Sequence, residues 1–469
     1  MSSTELMSGF ITIDKEERPF YFDNIKFQLF VYPATIDAWE RDRFEFIGKM
    51  ERNLKQSSWT NQRRVEGKLS NNNHVFFKVY NCPQMINGYR VYQVAWAVEL
   101  SGSYDLDAIE SLCIFGGDVN FFYPVERVWE KNALFTRNKT KLREVRVKAK
   151  NDMKECAGMY RVARNTDAEI FFSIYPRLSL VNQRLPLSAD SYIQLNYSSP
   201  VGIETAIRNI SDFKHLLCYS SYINNIGFQF LQLGWKSKKA QYVFAGNIYL
   251  PGNTLQESRE SLNMISYSFW KSKMKRILTD IKNEKLTYQH ICASNDERRH
   301  YNSSRCMMIF VAFEREFRNY YSVDFSRSEE YKEMKSSIVN LITEMATQKH
   351  GKEKRYLKQI AGFINSKDDS FEKKVETALK DNYPVISPFL LTNYVNKQER
   401  DIQKIAKRLG NLRNAITHAR LDMKFSPANL GDVKILEELI YAIRLRRFNS
   451  EVEVKKAIKL LFNEKSASI

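Results

Sequence analysis

The spacing of the apolar residues changes near Leu278, and this change constrains the fold more than any other feature of the 469-residue chain. Before it, segments rich in β-branched and aromatic residues, such as Tyr89–Leu100, predict strands. After it, apolar residues recur at helical spacing up to the C-terminal end. The sequence therefore predicts a multidomain α+β protein, with a β-rich N-terminal region that has interposed helices and an all-α C-terminal helical bundle.

A chain of this length is expected to form two or three domains. We predict a β-rich domain at residues 1–290 and a helical domain at residues 300–469. The boundary is expected between residues 280 and 302, where a polar stretch intervenes. A further division of the first domain near residues 155–200 remains open.

Local patterns place individual elements within these domains. His74–Tyr80 and Tyr89–Leu100 predict a hairpin whose loop contains Asn87 and Gly88. A helix that packs on the sheet is expected after Pro200. Further strands are predicted at residues 25–32, 170–175, 192–197 and 228–233, and helices near residues 303–321, 328–349, 352–365, 370–381, 397–421, 431–447 and 450–463.

The chain carries no signal for membrane insertion or for a metal framework. No basic stretch followed by an apolar block begins the sequence, and the longest apolar run, residues 307–313, is too short to span a bilayer. The six cysteines form no CxxC pair, which argues against a zinc knuckle and a disulfide framework. We therefore expect a cytoplasmic protein with no metal or other cofactor.

The net charge of +18 predicts a polyanionic partner, because lysine and arginine release counterions when they contact phosphates. Half of this charge lies in residues 301–469, which contain 31 Lys and Arg against 22 Asp and Glu. Residues 137–154 form a second basic segment. That segment is interpreted either as a surface for RNA or an acidic partner, or as a solvated face.

One motif in the helical region carries the residue types needed for metal-free RNA cleavage. The sequence NLRNAITHAR contains Arg413, Asn414 and His418. Such cleavage needs a base for the ribose 2′-hydroxyl, an acid for the leaving oxygen and a fixed cation for the charge on phosphorus. Histidine transfers protons near neutral pH, and arginine matches phosphate oxygens. The neighbouring cations Lys404, Lys407, Arg408 and Arg420 are predicted to contact RNA.

The spacing within the motif predicts a shared site between two copies of the chain. Asn414 and His418 share a helical face, so the amide can orient the imidazole. Arg413 and His418 lie about 140° apart on a continuous helix, so two facing copies would surround a phosphate better than one. A break of this helix at Gly410 and Asn411 is left open as an alternative, which would place Arg413 near a helix N-terminus. A second match to the motif, residues 208–215, is interpreted as a solvated helix flank.

The motif resembles the R-N-x-x-x-H pattern of the HEPN superfamily, and the layout of the whole chain is similar to the ApeA family of bacterial abortive-infection proteins. The resemblance is carried by residues 311–321 (VAFEREFRNYY) and 412–418 (LRNAITH). It implies that Arg413 and His418 are catalytic and that Asn414 positions the histidine or the phosphate. It also implies an accessory acid at Glu314, with Glu316 as the rival for that role.

The same resemblance implies an activity and its partners. The chain would be a homodimeric, metal-independent endoribonuclease that cleaves host RNA, with transfer RNA as a candidate, and leaves a 2′,3′-cyclic phosphate. The N-terminal region would sense a phage trigger and restrain the nuclease. Residues 351–394 match no feature of the family. Two alternatives remain open: a non-catalytic HEPN module that binds RNA or protein, and a metal-dependent nuclease, which the absence of a ligand-spaced cluster in the sequence disfavours.

Overall fold

The computed structural model describes most of the chain in a series of segments. These are residues 7–33, 35, 40, 61–81, 83–86, 88–135, 142–150, 153–178, 187–253, 262–286, 288–294, 296–321, 329–366, 370–394, 396–418 and 425–462. They form an N-terminal β-rich region followed by helices, so the predicted α+β class is confirmed at that level.

Strands dominate the first half of the chain. They are β1 (Met7–Ile13), β2 (Glu16–Asp23), β3 (Gln28–Val31), β4 (Gln62–Leu69), β5 (His74–Tyr80), β6 (Gln84–Ile86), β7 (Tyr89–Leu100), β8 (Ile109–Phe115), β9 (Trp129–Phe135), β10 (Leu142–Ala149), β11 (Lys154–Ala163), β12 (Thr166–Leu178), β13 (Leu187–Val201), β14 (Phe230–Lys236) and β15 (Tyr242–Tyr249). The basic segment at residues 137–154 thus includes β10, which pairs with β9 in a separate two-stranded sheet.

The other strands form one antiparallel sheet that closes on itself at one end. Its order is β11-β12-β13-β8-β14-β15-β7-β3-β2-β1-β4-β5, and β5 also pairs with β7. Strands β1, β2, β3, β4, β5 and β7 therefore form a closed ring. Alternate residues of these strands are buried, as the twofold period of a strand requires, and they fill the ring with apolar side chains.

Glycine allows a close backbone approach within this ring. At Gly9 an added Cβ would lie 2.0 Å from the carbonyl oxygen of Lys68. The predicted strand at residues 25–32 begins later than expected, because the Asp23 carboxylate accepts hydrogen bonds from the backbone N–H groups of Ile25 and Lys26 and holds a turn there. The loop between β5 and β7 contains the short strand β6, and Gly88 turns the chain with φ 83°.

Twelve described helices follow or interrupt the strands. They are α1 (Val119–Phe122), α2 (Ile203–Ser221), α3 (Tyr267–Trp270), α4 (Met274–Lys282), α5 (Ser303–Tyr320), α6 (Glu329–Thr347), α7 (Gly351–Ser366), α8 (Phe371–Asp381), α9 (Tyr383–Asn393), α10 (Ile402–Thr417), α11 (Pro427–Leu445) and α12 (Glu451–Phe462). The helix predicted after Pro200 is α2. It is tied to the sheet because Asn209 bonds the hydroxyl groups of Tyr160 and Tyr197.

Helix α9 was not predicted because it contains Pro384 and Pro388. Pro384 lies in the first turn, where a missing N–H costs little. Pro388 lies inside the helix, and buried apolar neighbours, among them Ile386 and Phe389, hold that turn in place. Tertiary packing therefore overrides the local signal of proline.

The chain divides into two compact units at Thr279/Asp280, within α4. Two short segments of the earlier sequence, Ser221–Asn224 and Asn263–Ile265, belong to the helical unit. The first of these is held by Tyr222, whose hydroxyl donates to the buried Glu437 carboxylate of α11. In the described parts of the chain, no helix has both the length and the apolar character needed to cross a bilayer.

Candidate active site

Helix α10 carries the predicted motif and has two distinct faces. Asp401 caps it by accepting a hydrogen bond from the backbone N–H of Lys404 (2.9 Å). One face is buried by apolar residues at helical spacing, including Leu409, Leu412 and Ile416. The opposite face is an exposed polar stripe, which consists of Lys404, Lys407, Asn411, Asn414 and His418.

Arg413 points away from this stripe toward α5 and α8. Its guanidinium lies 3.0 Å from Glu314 of α5 and 5.3 Å from the centroid of the Phe371 ring of α8. Phe371 is fixed in turn by edge contacts with Phe310 and Phe313. The Arg413 side chain keeps 35% of its surface exposed, so it is anchored but remains accessible to an anion.

The two candidate acidic residues of α5 have different environments. Glu314 contacts Arg413 and is partly exposed. Glu316 is buried against Arg444, whose guanidinium also binds Asp280, and burial raises the pKa of the Glu316 carboxyl. Of the two, only Glu314 therefore adjoins the motif.

His418 lies directly after the last turn of α10, and its side chain is exposed. Its backbone N–H donates to the carbonyl oxygen of Asn414 (3.0 Å). Among the described side chains, no hydrogen bond joins the Asn414 amide to the imidazole. Both groups are thus available to other partners at the end of the stripe.

The alternative of a helix break at Gly410 and Asn411 is wrong, since α10 is continuous from Ile402 to Thr417. Gly410 is buried beside Glu372 of α8, with an ideal Cβ position 3.4 Å from the Glu372 Cβ, and this close packing against α8 holds the helix. Arg413 therefore lies near the helix C-terminus, where the helix dipole favours a cation. It does not lie at an N-terminus.

The predicted RNA-binding cations have different environments. Lys404 and Lys407 are exposed on the polar stripe. Arg408 instead forms an ion pair with the buried Asp432 (2.7 Å), which also accepts a hydrogen bond from Tyr394. This pair ties α10 to α11, and Arg408 is therefore left out of the site. Arg420 lies outside the described residues.

Two features of the site had no signal in the sequence. Phe371, which lies below the Arg413 guanidinium, is 42 residues away in the chain, and Asp432, which binds Arg408 and so removes it from the site, lies on a later helix. The second match to the motif lies on α2, in the strand-rich unit. There Arg208 is exposed, while burial and the nearby Lys214 lower the pKa of His215. Comparison of the chain with protein-family models, curated proteins and solved structures found no match.

Proposed function

We propose that the chain is a metal-independent endoribonuclease of HEPN type that acts in bacterial abortive infection. One observation carries this proposal: Arg413 is anchored by Glu314 and Phe371 yet partly exposed, near the end of a helix whose exposed stripe finishes at His418. A fixed guanidinium and an accessible imidazole would supply the cation and the base that cleavage at a ribose phosphate needs.

In this mechanism the imidazole of His418 takes the proton of the ribose 2′-hydroxyl, and the 2′-oxygen attacks phosphorus. The bond to the 5′-oxygen breaks and that oxygen takes a proton from solvent water, while the imidazolium of His418 later releases its proton to solvent, which leaves a 2′,3′-cyclic phosphate and a 5′-hydroxyl. The guanidinium of Arg413 stabilises the charge on the phosphate oxygens, and Glu314 holds that guanidinium in place. Lys404 and Lys407 would contact the RNA backbone along the stripe.

A second copy of the chain is part of this proposal. On the continuous helix α10, Arg413 and His418 diverge by about 140°. A twofold axis beside α10 would bring Arg413 of one copy toward His418 of the other, so that a shared cleft surrounds the phosphate. The substrate is proposed to be host RNA in the cytoplasm, with transfer RNA as the first candidate.

The site is tested in lysates of phage-infected cells that carry the chain, in which the restraint proposed below is lifted, by sequencing of new 5′ ends in transfer RNA. His418→Ala should lower the cleavage rate by about 10²-fold to 10⁴-fold, the usual contribution of a general acid or base. The matched control is His350→Ala, because His350 is also an exposed histidine of the helical unit. Cleavage by His418→Ala at the parent rate would refute the assignment, and loss of cleavage on addition of EDTA would favour a metal-dependent enzyme.

The second candidate function is a non-catalytic module that binds RNA or protein, and the ion pair between Arg413 and Glu314 favours it, because structural ion pairs of this kind are common. Under this alternative, Arg413→Ala weakens assembly or binding, while the parent yields no cleavage product with any RNA, before or after phage infection.

The strand-rich unit is proposed to sense a phage trigger and to restrain the nuclease until infection. Cells that carry the parent chain should then grow normally and lose intact RNA only after infection. Cells that carry His418→Ala should keep intact RNA throughout. RNA loss in uninfected parent cells, at the level seen after infection, would refute the restraint.

A further inference from the structure

Helices α6 and α7 form an antiparallel hairpin that has little buried surface of its own. They are joined through residues 348–350, and the ammonium group of Lys335 donates to the carbonyl oxygen of Asn365 (2.8 Å). Ala346 is buried in α6, and no described side chain of α7 is buried. A large share of the apolar surface of this hairpin is therefore exposed.

Each helix of the hairpin has two apolar faces. The inner faces are partly buried within the hairpin, and they consist of Val339, Ile342 and Ala346 on α6 and of Leu357, Ala361 and Ile364 on α7. The outer faces are 42% to 60% exposed, and they consist of Met334, Ile338, Leu341 and Met345 on α6 and of Tyr356, Ile360 and Phe363 on α7. Since successive residues of an α-helix are rotated by about 100°, these positions place the centres of the inner and outer faces about 100° apart around each helix.

This angle is typical of a four-helix bundle, in which each helix packs against two neighbours. The outer face is offset from the inner face in the same rotational sense on both helices. Because the helices are antiparallel, this offset places both outer faces on the same side of the hairpin. The hairpin thus presents one continuous apolar surface, here called the outer face. The two further helices that would cover this surface in a four-helix bundle are not supplied by the described residues.

We propose that the outer face binds the same face of a second copy of this chain, so that two hairpins complete a four-helix bundle. The proposal does not depend on the nuclease proposal. Seven side chains, each about half exposed, offer on the order of 700 Å² per copy, close to the roughly 800 Å² per partner of a standard interface. A monomer seldom exposes a continuous apolar patch of this size.

The charges at the rim of the outer face select the pairing of helices. On α6 the rim carries Glu330, Glu333 and Glu344, and on α7 it carries Lys352 and Arg355, all exposed. Contact of α6 with α6 of the second copy would bring like charges together. Contact of α6 with α7 of the second copy brings opposite charges together, as in the flanking positions of coiled coils.

This pairing requires a twofold axis parallel to the helices. Rotation about such an axis keeps every residue at the same height along the bundle, so residues at one height in the hairpin also face each other between the copies. Since Lys335 lies level with Asn365 within the hairpin, Glu344 lies level with the region of Arg355. In the bundle, Glu344 of one copy then faces Arg355 of the other at the rim. Leu341 lies level with Ile360 of the other copy in the apolar centre.

The proposal is tested by light scattering of the full chain during size-exclusion chromatography. The parent should have at least twice the mass of the 55.2 kDa chain at micromolar concentration. Leu341→Asp should weaken this association at least tenfold. The matched control is Leu391→Asp in α9, since Leu391 is exposed to a similar degree (64% against 60%), and this variant should keep the parent mass.

Charge exchange tests the pairing itself. Glu344→Arg and Arg355→Glu should each weaken association, and the double variant should restore it. A monomeric parent, a Leu341→Asp variant with the parent mass, or a double variant no better than its single variants would each overturn the proposal. Loss of RNA binding by Leu341→Asp with an unchanged mass would show that the outer face contacts RNA instead.

Discussion

Replacement of Glu438 by glutamine should make the stability of the chain less dependent on pH. Glu438 lies on α11 and is 2% exposed, and both of its oxygens accept hydrogen bonds from the Asn393 amide of α9 (3.3 and 3.1 Å). Burial, opposed by the hydrogen bonds from Asn393 and by the charge of Lys434, raises the pKa of its carboxyl from 4.5 to about 8. The folded chain therefore retains a proton here at neutral pH.

The sign and size of the effect follow from linkage. Below pH 4.5 the folded and unfolded chains both bind the proton, so the raised pKa has its full stabilising effect. Between pH 4.5 and 8 the unfolded chain releases the proton first, so the free energy of unfolding falls as pH rises. Since one unit of pKa difference corresponds to about 1.4 kcal/mol, the loss between pH 5 and pH 9 is on the order of 4 kcal/mol.

Glutamine keeps the shape of the side chain but has no proton to lose. The free energy of unfolding of Glu438→Gln, measured by urea titration at pH 5 and pH 9, should therefore rise relative to the parent by about 4 kcal/mol between the two values. The control is Glu353→Gln, which changes an exposed glutamate on α7. The difference in the free energy of unfolding between this variant and the parent should be nearly the same at pH 5 and pH 9. A difference between Glu438→Gln and the parent that is the same at both pH values would refute the reasoning.

Two further predictions concern packing. Arg444→Met should lower the free energy of unfolding by about 3–5 kcal/mol in urea titrations, because it leaves Glu316 and Asp280 without their buried partner. Glu314→Gln breaks a partly exposed ion pair and should lower the free energy of unfolding by about 1 kcal/mol or less. Equal losses in the two variants would contradict this prediction. Gly9→Ala should lower the melting temperature, followed by far-ultraviolet circular dichroism, because the added Cβ would meet the Lys68 carbonyl oxygen at 2.0 Å; an unchanged melting temperature would show that the ring adjusts.

Local sequence patterns were sufficient for the elements with clear periodicity. Strands β5 and β7 have the bounds that their residues predicted, and helix α8 begins one residue after its predicted start. Helix α9 could not be predicted, since proline is a strong local signal against a helix and only tertiary contacts outweigh it. Closure of the ring through β5 and β7 depends on pairing between whole strands, which the period within one strand does not encode.

The candidate site could be predicted only as a set of residue types. Glu314 and Glu316 are two residues apart and therefore project in different directions from α5, and the orientation of that helix decides which one meets Arg413. Arg408 shares α10 with the motif, but its guanidinium binds Asp432, which lies on a later helix. Contacts between helices thus determine which cations adjoin the site.

The closed ring of β1, β2, β3, β4, β5 and β7 has a consequence for recognition. Each of these strands is paired on both sides over part of its length, so among the described residues none of them is an edge strand from end to end. This arrangement favours recognition of a partner through side chains and connecting loops over addition of a long guest strand. Variation that changes its specificity should accumulate there and leave the paired backbone unaltered.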